Sequence, residues 1–155
     1  RKKFLATMNQ ILHEYGYTTT SFINPSGLDP SKKTTIKPNR MTAYNLSRLL
    51  SDVYHDELLA KIMGQFEAPI VDLKHETVAV VRQSNELYYD DAYKDKVLIG
   101  KTGRTNLAGE NLAFISPGGD RYDYITIVFL SSPNRVTDAK RIVDWLSAPV
   151  TLAKN

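Results

Sequence analysis

Lys101-Thr102-Gly103 brings three chemical capacities together in three residues. Lysine at a strand end sets a fixed positive charge beside a reacting centre. A threonine hydroxyl can bind a carboxylate. Glycine lacks a Cβ, so another backbone can approach the strand closely. At average residue usage, such a tripeptide arises by chance in roughly 1 of 30 chains this long. Alone, it reads as a strand end followed by a turn. The other reactive residue types are less organised. His13, His55 and His75 form no two-histidine helical pair, and each reads as a surface or cap residue. Asp90-Asp91 follows Tyr88-Tyr89 and reads as a solvated turn. Gly118-Gly119 suits a hairpin turn better than a phosphate loop.

Composition narrows the classes. The chain has 155 residues, 42% hydrophobic and 24% charged, which is ordinary usage for one globular domain and excludes a disordered chain. No apolar run approaches the ~18 residues of a membrane span. The net charge of +3 is too mild and too evenly spread for nucleic-acid binding. With no cysteine, a disulfide framework, a thiolate zinc site and a cysteine nucleophile are excluded. The sequence begins at Arg1 with no signal peptide or lipidation motif. Without an initiator Met, that says little about targeting.

The elements that must position Lys101 follow from periodicity. Phe4, Leu5, Met8, Ile11, Leu12 and Tyr15 predict an amphipathic helix over Phe4 to Tyr15, with Gly16 as C-cap. Residues 17–40, with Asn24-Pro25-Ser26-Gly27-Leu28-Asp29-Pro30, predict a long ordered loop. Thr42 reads as the N-cap of a helix buried through Leu46, Leu49, Leu50 and Val53. A short helix over Glu57 to Met63 is expected to stop at Gly64. Period-two patterning around Val78 and Val80 predicts a strand. Others are expected over Val97 to Gly103, Asn111 to Ser116 and Tyr124 to Ser131, with Pro117-Gly118-Gly119-Asp120 as a hairpin turn. Thr137 to Leu146 predicts a helix directing Ala139, Ile142, Val143 and Leu146 inward. The class is α+β: helices, an antiparallel meander, then a covering helix.

Placed in order, several blocks carry a resemblance. They are Met8-Asn9, then Gly16, Thr20-Ser21-Phe22-Ile23-Asn24-Pro25-Ser26-Gly27-Leu28-Asp29, and Thr42-Ala43-Tyr44-Asn45-Leu46. Ser84-Asn85-Glu86-Leu87 and Gly100-Lys101-Thr102-Gly103-Arg104-Thr105-Asn106-Leu107-Ala108-Gly109 follow. Together they resemble the serine D-alanyl-D-alanine carboxypeptidases, the low-molecular-weight penicillin-binding proteins, over about Phe4 to Leu146. The resemblance implies a transpeptidase-like (β-lactamase-like) fold and an exported protein of the cell envelope. It implies acyl transfer on a peptidoglycan stem peptide ending in D-Ala-D-Ala, binding of β-lactams, and no metal or cofactor. Lys101 would stabilise charge and support proton relay. Thr102 would bind the terminal carboxylate, and Gly103 would let the peptide lie along the strand. Arg104 and Thr105 fall where the family also lines its pocket.

The family's nucleophile motif, Ser-x-x-Lys, does not occur in this sequence. Thr34-Thr35-Ile36-Lys37, Thr137-Asp138-Ala139-Lys140 and Thr151-Leu152-Ala153-Lys154 have the spacing with threonine, outside the family's nucleophile position. The one Ser-x-Asn, Ser132-Pro133-Asn134, reads as a turn. The expectation is therefore an incomplete domain, with residues 1–65 its mainly helical part and 66–155 its strands and last helix. Its missing strands would leave the Tyr124–Ser131 strand with an open edge. An upstream polypeptide or a swapped homodimer would then cover it. A non-catalytic module retaining only the Lys-Thr-Gly strand is the alternative.

Overall fold

The computed structural model describes residues 2–30 and 38–148. The Thr34–Lys37 and Thr151–Lys154 spacings lie outside the described residues. Helix α1 spans Lys2–Glu14. It ends where Gly16, in the left-handed region at φ 77°, allows Tyr17 N–H to reach the Leu12 carbonyl and its own N–H to reach that of His13. Helix α2, Ala43–Tyr54, begins at Thr42, whose hydroxyl accepts the Asn45 N–H. Helix α3, Glu57–Met63, is capped by Asp56 and ends at Gly64.

Strands β1 (Glu67–Val71) and β2 (Thr77–Arg82) form a separate two-stranded antiparallel hairpin. Strands β3 (Ile99–Thr105), β4 (Gly109–Pro117) and β5 (Tyr124–Ser132) form a three-stranded antiparallel sheet with β4 central. Helix α4, Arg135–Ser147, follows.

Both faces of that sheet are covered. Leu112, Phe114 and Ile127 meet Ala139 and Val143 of α4, with Leu87, Tyr88 and Val97 from the preceding segment. On the other face, Ile99, Ala113 and Ile115 meet Leu50 of α2, flanked by Ala60 and Met63 of α3. The last helix is thus one of two covers, and the α+β class holds.

Several expectations need correction. The strand around Val78 and Val80 leaves the meander, pairing only with β1, which its sequence did not announce. Both faces of that hairpin are largely solvent-exposed, so no one-sided burial pattern marks β1. The Lys-Thr-Gly strand runs Ile99–Thr105, two residues further on than the Val97–Gly103 reading, because Arg104 and Thr105 still pair with Glu110 and Gly109. The β4–β5 connection occupies residues 118–123, longer than a four-residue turn. The stripe on α1 buries Leu12 but leaves Phe4, Ile11 and Tyr15 exposed. Helix α4 starts at Arg135 because Asn134 Oδ1 accepts the Thr137 N–H.

Candidate active-site strand

Cross-strand register decides where each motif residue points. Lys101 lies opposite Ala113 and Gly103 opposite Asn111, while Thr102 lies opposite Leu112. Side chains alternate along a strand. Lys101, Gly103 and Thr105 therefore share the α2 face with Ile99, and Gly100, Thr102 and Arg104 share the α4 face. The outer edge of β3 is unpaired among the described residues.

Lys101 is exposed, and its Nζ donates to the Thr102 carbonyl. Thr102 is only 7% exposed, and its Oγ1 lies 2.5 Å from Ser84 Oγ. A Cβ on Gly103 would meet nothing within 4 Å. Arg104 extends into solvent, 3.6 Å from Glu110. Thr105 Oγ1 accepts the Ala108 N–H, closing the β3–β4 turn. The motif therefore forms an open ledge with its two polar side chains on opposite faces. A cleft of about 770 Å³ lies elsewhere, lined by Gly64, Phe66, Tyr88, Tyr89 and neighbours.

Asparagine side chains order the loop that reaches the turn at the end of this ledge. Asn9 accepts the Phe22 N–H and donates to its carbonyl. Asn39 Oδ1 accepts from Ile23 and Asn24 N–H. Buried Asn45 donates to the hydroxyls of Thr19 and Thr20. The loop so held places Asp29 Oδ2 3.0 Å from the Leu107 N–H, on the turn that ends β3.

Behind β3 lies a contact that motif spacing alone could not reveal. Asn85 is fully buried, and its Oδ1 accepts the Leu87 N–H. Its Nδ2 has no partner among the described residues and lies 3.0 Å from where a Gly100 Cβ would stand. Only glycine fits there without displacing Asn85. This segment is tied to α4 by Glu86–Arg135 at 2.5 Å, Asp90–Lys140 at 2.6 Å and the Tyr93 hydroxyl to Asp144 at 2.9 Å. Asp90 opens the turn over residues 91–93, its carbonyl accepting from the Tyr93 and Lys94 N–H, and its partly exposed carboxylate also pairs with Lys140 of α4. Hydrogen bonds from Lys140 and the Ala92 N–H hold its carboxyl below the usual carboxylate range. Asp91 pairs with Lys94 in solvent. Ser132 and Asn134 serve the start of α4, where Ser132 Oγ donates to Asp138. His55 closes α2 at its C-terminus.

A sequence profile of the D-alanyl-D-alanine carboxypeptidases matches residues 1–132, taking in β3 and its turn. The chain belongs to the D-alanyl-D-alanine carboxypeptidase family. Solved structures share the fold. A D-alanyl-D-alanine carboxypeptidase from Mycobacterium tuberculosis H37Rv superposes with a TM-score of 0.72 at 22% identity, over 91% of this chain and 52% of that one. A putative penicillin-binding protein homologue from M. tuberculosis gives 0.75 at 22%, over 94% and 53%. A peptidoglycan synthesis regulatory factor, PBP3, from Streptococcus pneumoniae gives 0.73 at 18%, over 93% and 42%. No curated protein is detectably similar in sequence. The chain spans about half the length of the structures it matches. Among the described residues, no helix is long and apolar enough to cross a membrane.

Proposed function

We propose that this chain supplies the Lys-Thr-Gly strand of a serine D,D-carboxypeptidase of the cell envelope. That enzyme would act by acyl transfer on peptidoglycan stem peptides ending in D-Ala-D-Ala, and would bind β-lactams. The observation that carries the reading is Lys101-Thr102-Gly103 on the unpaired edge of β3, within a family match over residues 1–132. A peptide laid along β3 would meet unpaired backbone groups, with open space over Gly103. Lys101 would stabilise developing negative charge, and Thr102 would recognise the free carboxylate. The β3 backbone would align the scissile carbonyl. Arg104 and Thr105 would line the outer end of the ledge.

The nucleophile would come from outside residues 1–155, since the sequence contains no Ser-x-x-Lys. An upstream polypeptide would complete the domain, with a swapped homodimer as the alternative. The 155-residue chain is expected to form no covalent adduct with a labelled penicillin. Joined to an upstream segment bearing Ser-x-x-Lys, it is expected to form one stoichiometrically. A denaturation-resistant adduct on the 155-residue chain itself would overturn this assignment. The missing motif also favours a second reading, a module that binds the peptide without cleaving it. Gene sequence upstream of Arg1 that lacks both Ser-x-x-Lys and Ser-x-Asn would establish that one instead.

A further inference from the structure

Ser84 makes one side-chain hydrogen bond among the described residues, to Thr102 at 2.5 Å between hydroxyl oxygens. In such a pair one hydroxyl donates and the other accepts. Each has one proton and two lone pairs. The direction matters for an anion. If Thr102 donates to Ser84, it presents only lone pairs to an incoming carboxylate, and these repel it. If Ser84 donates to Thr102, the Thr102 proton remains free for the carboxylate. The second direction also polarises Thr102 and strengthens its outward donation.

Ser84 is well held for this purpose. Its neighbour Asn85 is fully buried against Gly100, and Glu86 is paired with Arg135 of α4. We infer that Ser84 is a positioning residue, which donates its hydroxyl proton to Thr102 Oγ1 and so reserves the Thr102 proton for the terminal carboxylate of a peptide. This rests on the reading of Thr102 as the carboxylate-recognising group.

The test uses the 155-residue chain with two probes, Nα-acetyl-D-Ala-D-Ala and its C-terminal amide, titrated by ¹⁵N amide NMR at Thr102 and Gly103. The parent chain is expected to prefer the acid. Ser84→Ala should reduce that preference roughly two- to threefold, because Thr102 keeps its own proton and loses only the orientation and polarisation that Ser84 supplies. Affinity for the amide should not change. Ser84→Thr should restore the preference, because it returns a hydroxyl donor. Ser84→Cys keeps the volume but donates weakly, so it should behave as Ser84→Ala even if the alanine loosens the loop. A merely structural role would weaken both probes together, which would overturn the inference. So would an undiminished acid preference in both Ser84→Ala and Ser84→Cys. Thr102→Val separates the two levels of the argument. If it abolishes acid preference while the Ser84 variants do not, the Ser84 step alone fails. If the parent chain shows no acid preference, the carboxylate reading of Thr102 fails, and the Ser84 inference with it.

Discussion

The two edges of the three-stranded sheet differ in character. Edge β3 carries Lys101, Gly103, Arg104 and Thr105, and its one buried hydroxyl, on Thr102, has a partner in Ser84. Edge β5 carries Ile125, Ile127, Val128, Phe129 and Leu130, and nothing among the described residues pairs with its outer side. An unpaired edge templates strand addition unless it is short, charged or covered. The β3 edge is charged and can remain open as a ledge for a ligand. The β5 edge has no such protection, and Leu130 is exposed beside it. One edge suits a transient peptide, and the other suits a permanent neighbour.

Strand β4 supports both edges, so its core residue gives the largest effect. Phe114 is fully buried, and the α4-side cluster forms around it. Phe114→Ala is expected to cost ~3–5 kcal/mol against a total of ~5–15 kcal/mol for a domain. Urea unfolding should show the loss, and amide exchange should rise on β3 and β5 together. Protection lost on one edge only would mean that β4 does not couple them.

The glycines of β3 give the next contrast. In Gly100→Ala the new methyl would stand 3.0 Å from Asn85 Nδ2 and 3.2 Å from Phe114 Cβ. Overpacking of this kind costs ~1–3 kcal/mol, and it should displace the Ser84–Asn85 segment. Gly103→Ala meets nothing, so its stability change should stay within ~0.5 kcal/mol. Its effect should fall instead on peptide binding along the ledge. Thermal melts of the pair check the order, and equal destabilisation would contradict the packing behind β3.

At the opposite edge, the 155-residue chain is expected to self-associate. Leu130→Lys places a charge where a strand would add and should shift sedimentation toward monomer, with little change in the melt. A parent chain that sediments as monomer, with protected amides along β5, would show that this edge needs no cover.

What the sequence made legible depends on how local each cause is. The Thr42 cap and the spacing of Leu46, Leu50 and Val53 sit within one helix, and α2 appears where they place it. The Lys-Thr-Gly tripeptide marks its strand, but not the burial of Thr102. Nor does it mark the partner of the Thr102 hydroxyl, Ser84, 18 residues away. The pairing of Asp90 with Lys140 is hidden for the same reason, since Lys140 lies 50 residues further along. Strand β1 gave no period because neither face of its hairpin is covered. The asparagines at 9, 39 and 45 were visible as letters. Their work, tying the 17–30 loop to α1, α2 and the segment before α2, consists of contacts across 13 to 26 residues, and Asp29 of that loop reaches Leu107 across 78.

The tether between the segment behind β3 and α4 yields the smallest effect, and it again separates the edges. Burial pushes the Glu86 carboxyl up, but the hydrogen bond and charge of Arg135 outweigh this and leave it below its ordinary value. A depressed carboxylate contributes stability above its unfolded value, about 4.3, and loses that contribution as pH falls through the lower folded value. Glu86 is 45% exposed, so solvent screening should hold the contribution to about 1 kcal/mol or less. Glu86→Gln should therefore be slightly less stable at pH 7 and flatter in stability between about pH 5 and 3. Denaturant midpoints across that window give the slope. Because Glu86 stands two residues from Ser84, acid should first raise amide exchange at Thr102 in the parent chain, with β5 unchanged. Earlier loss of protection on β5 would place the acid-sensitive contact at the other edge.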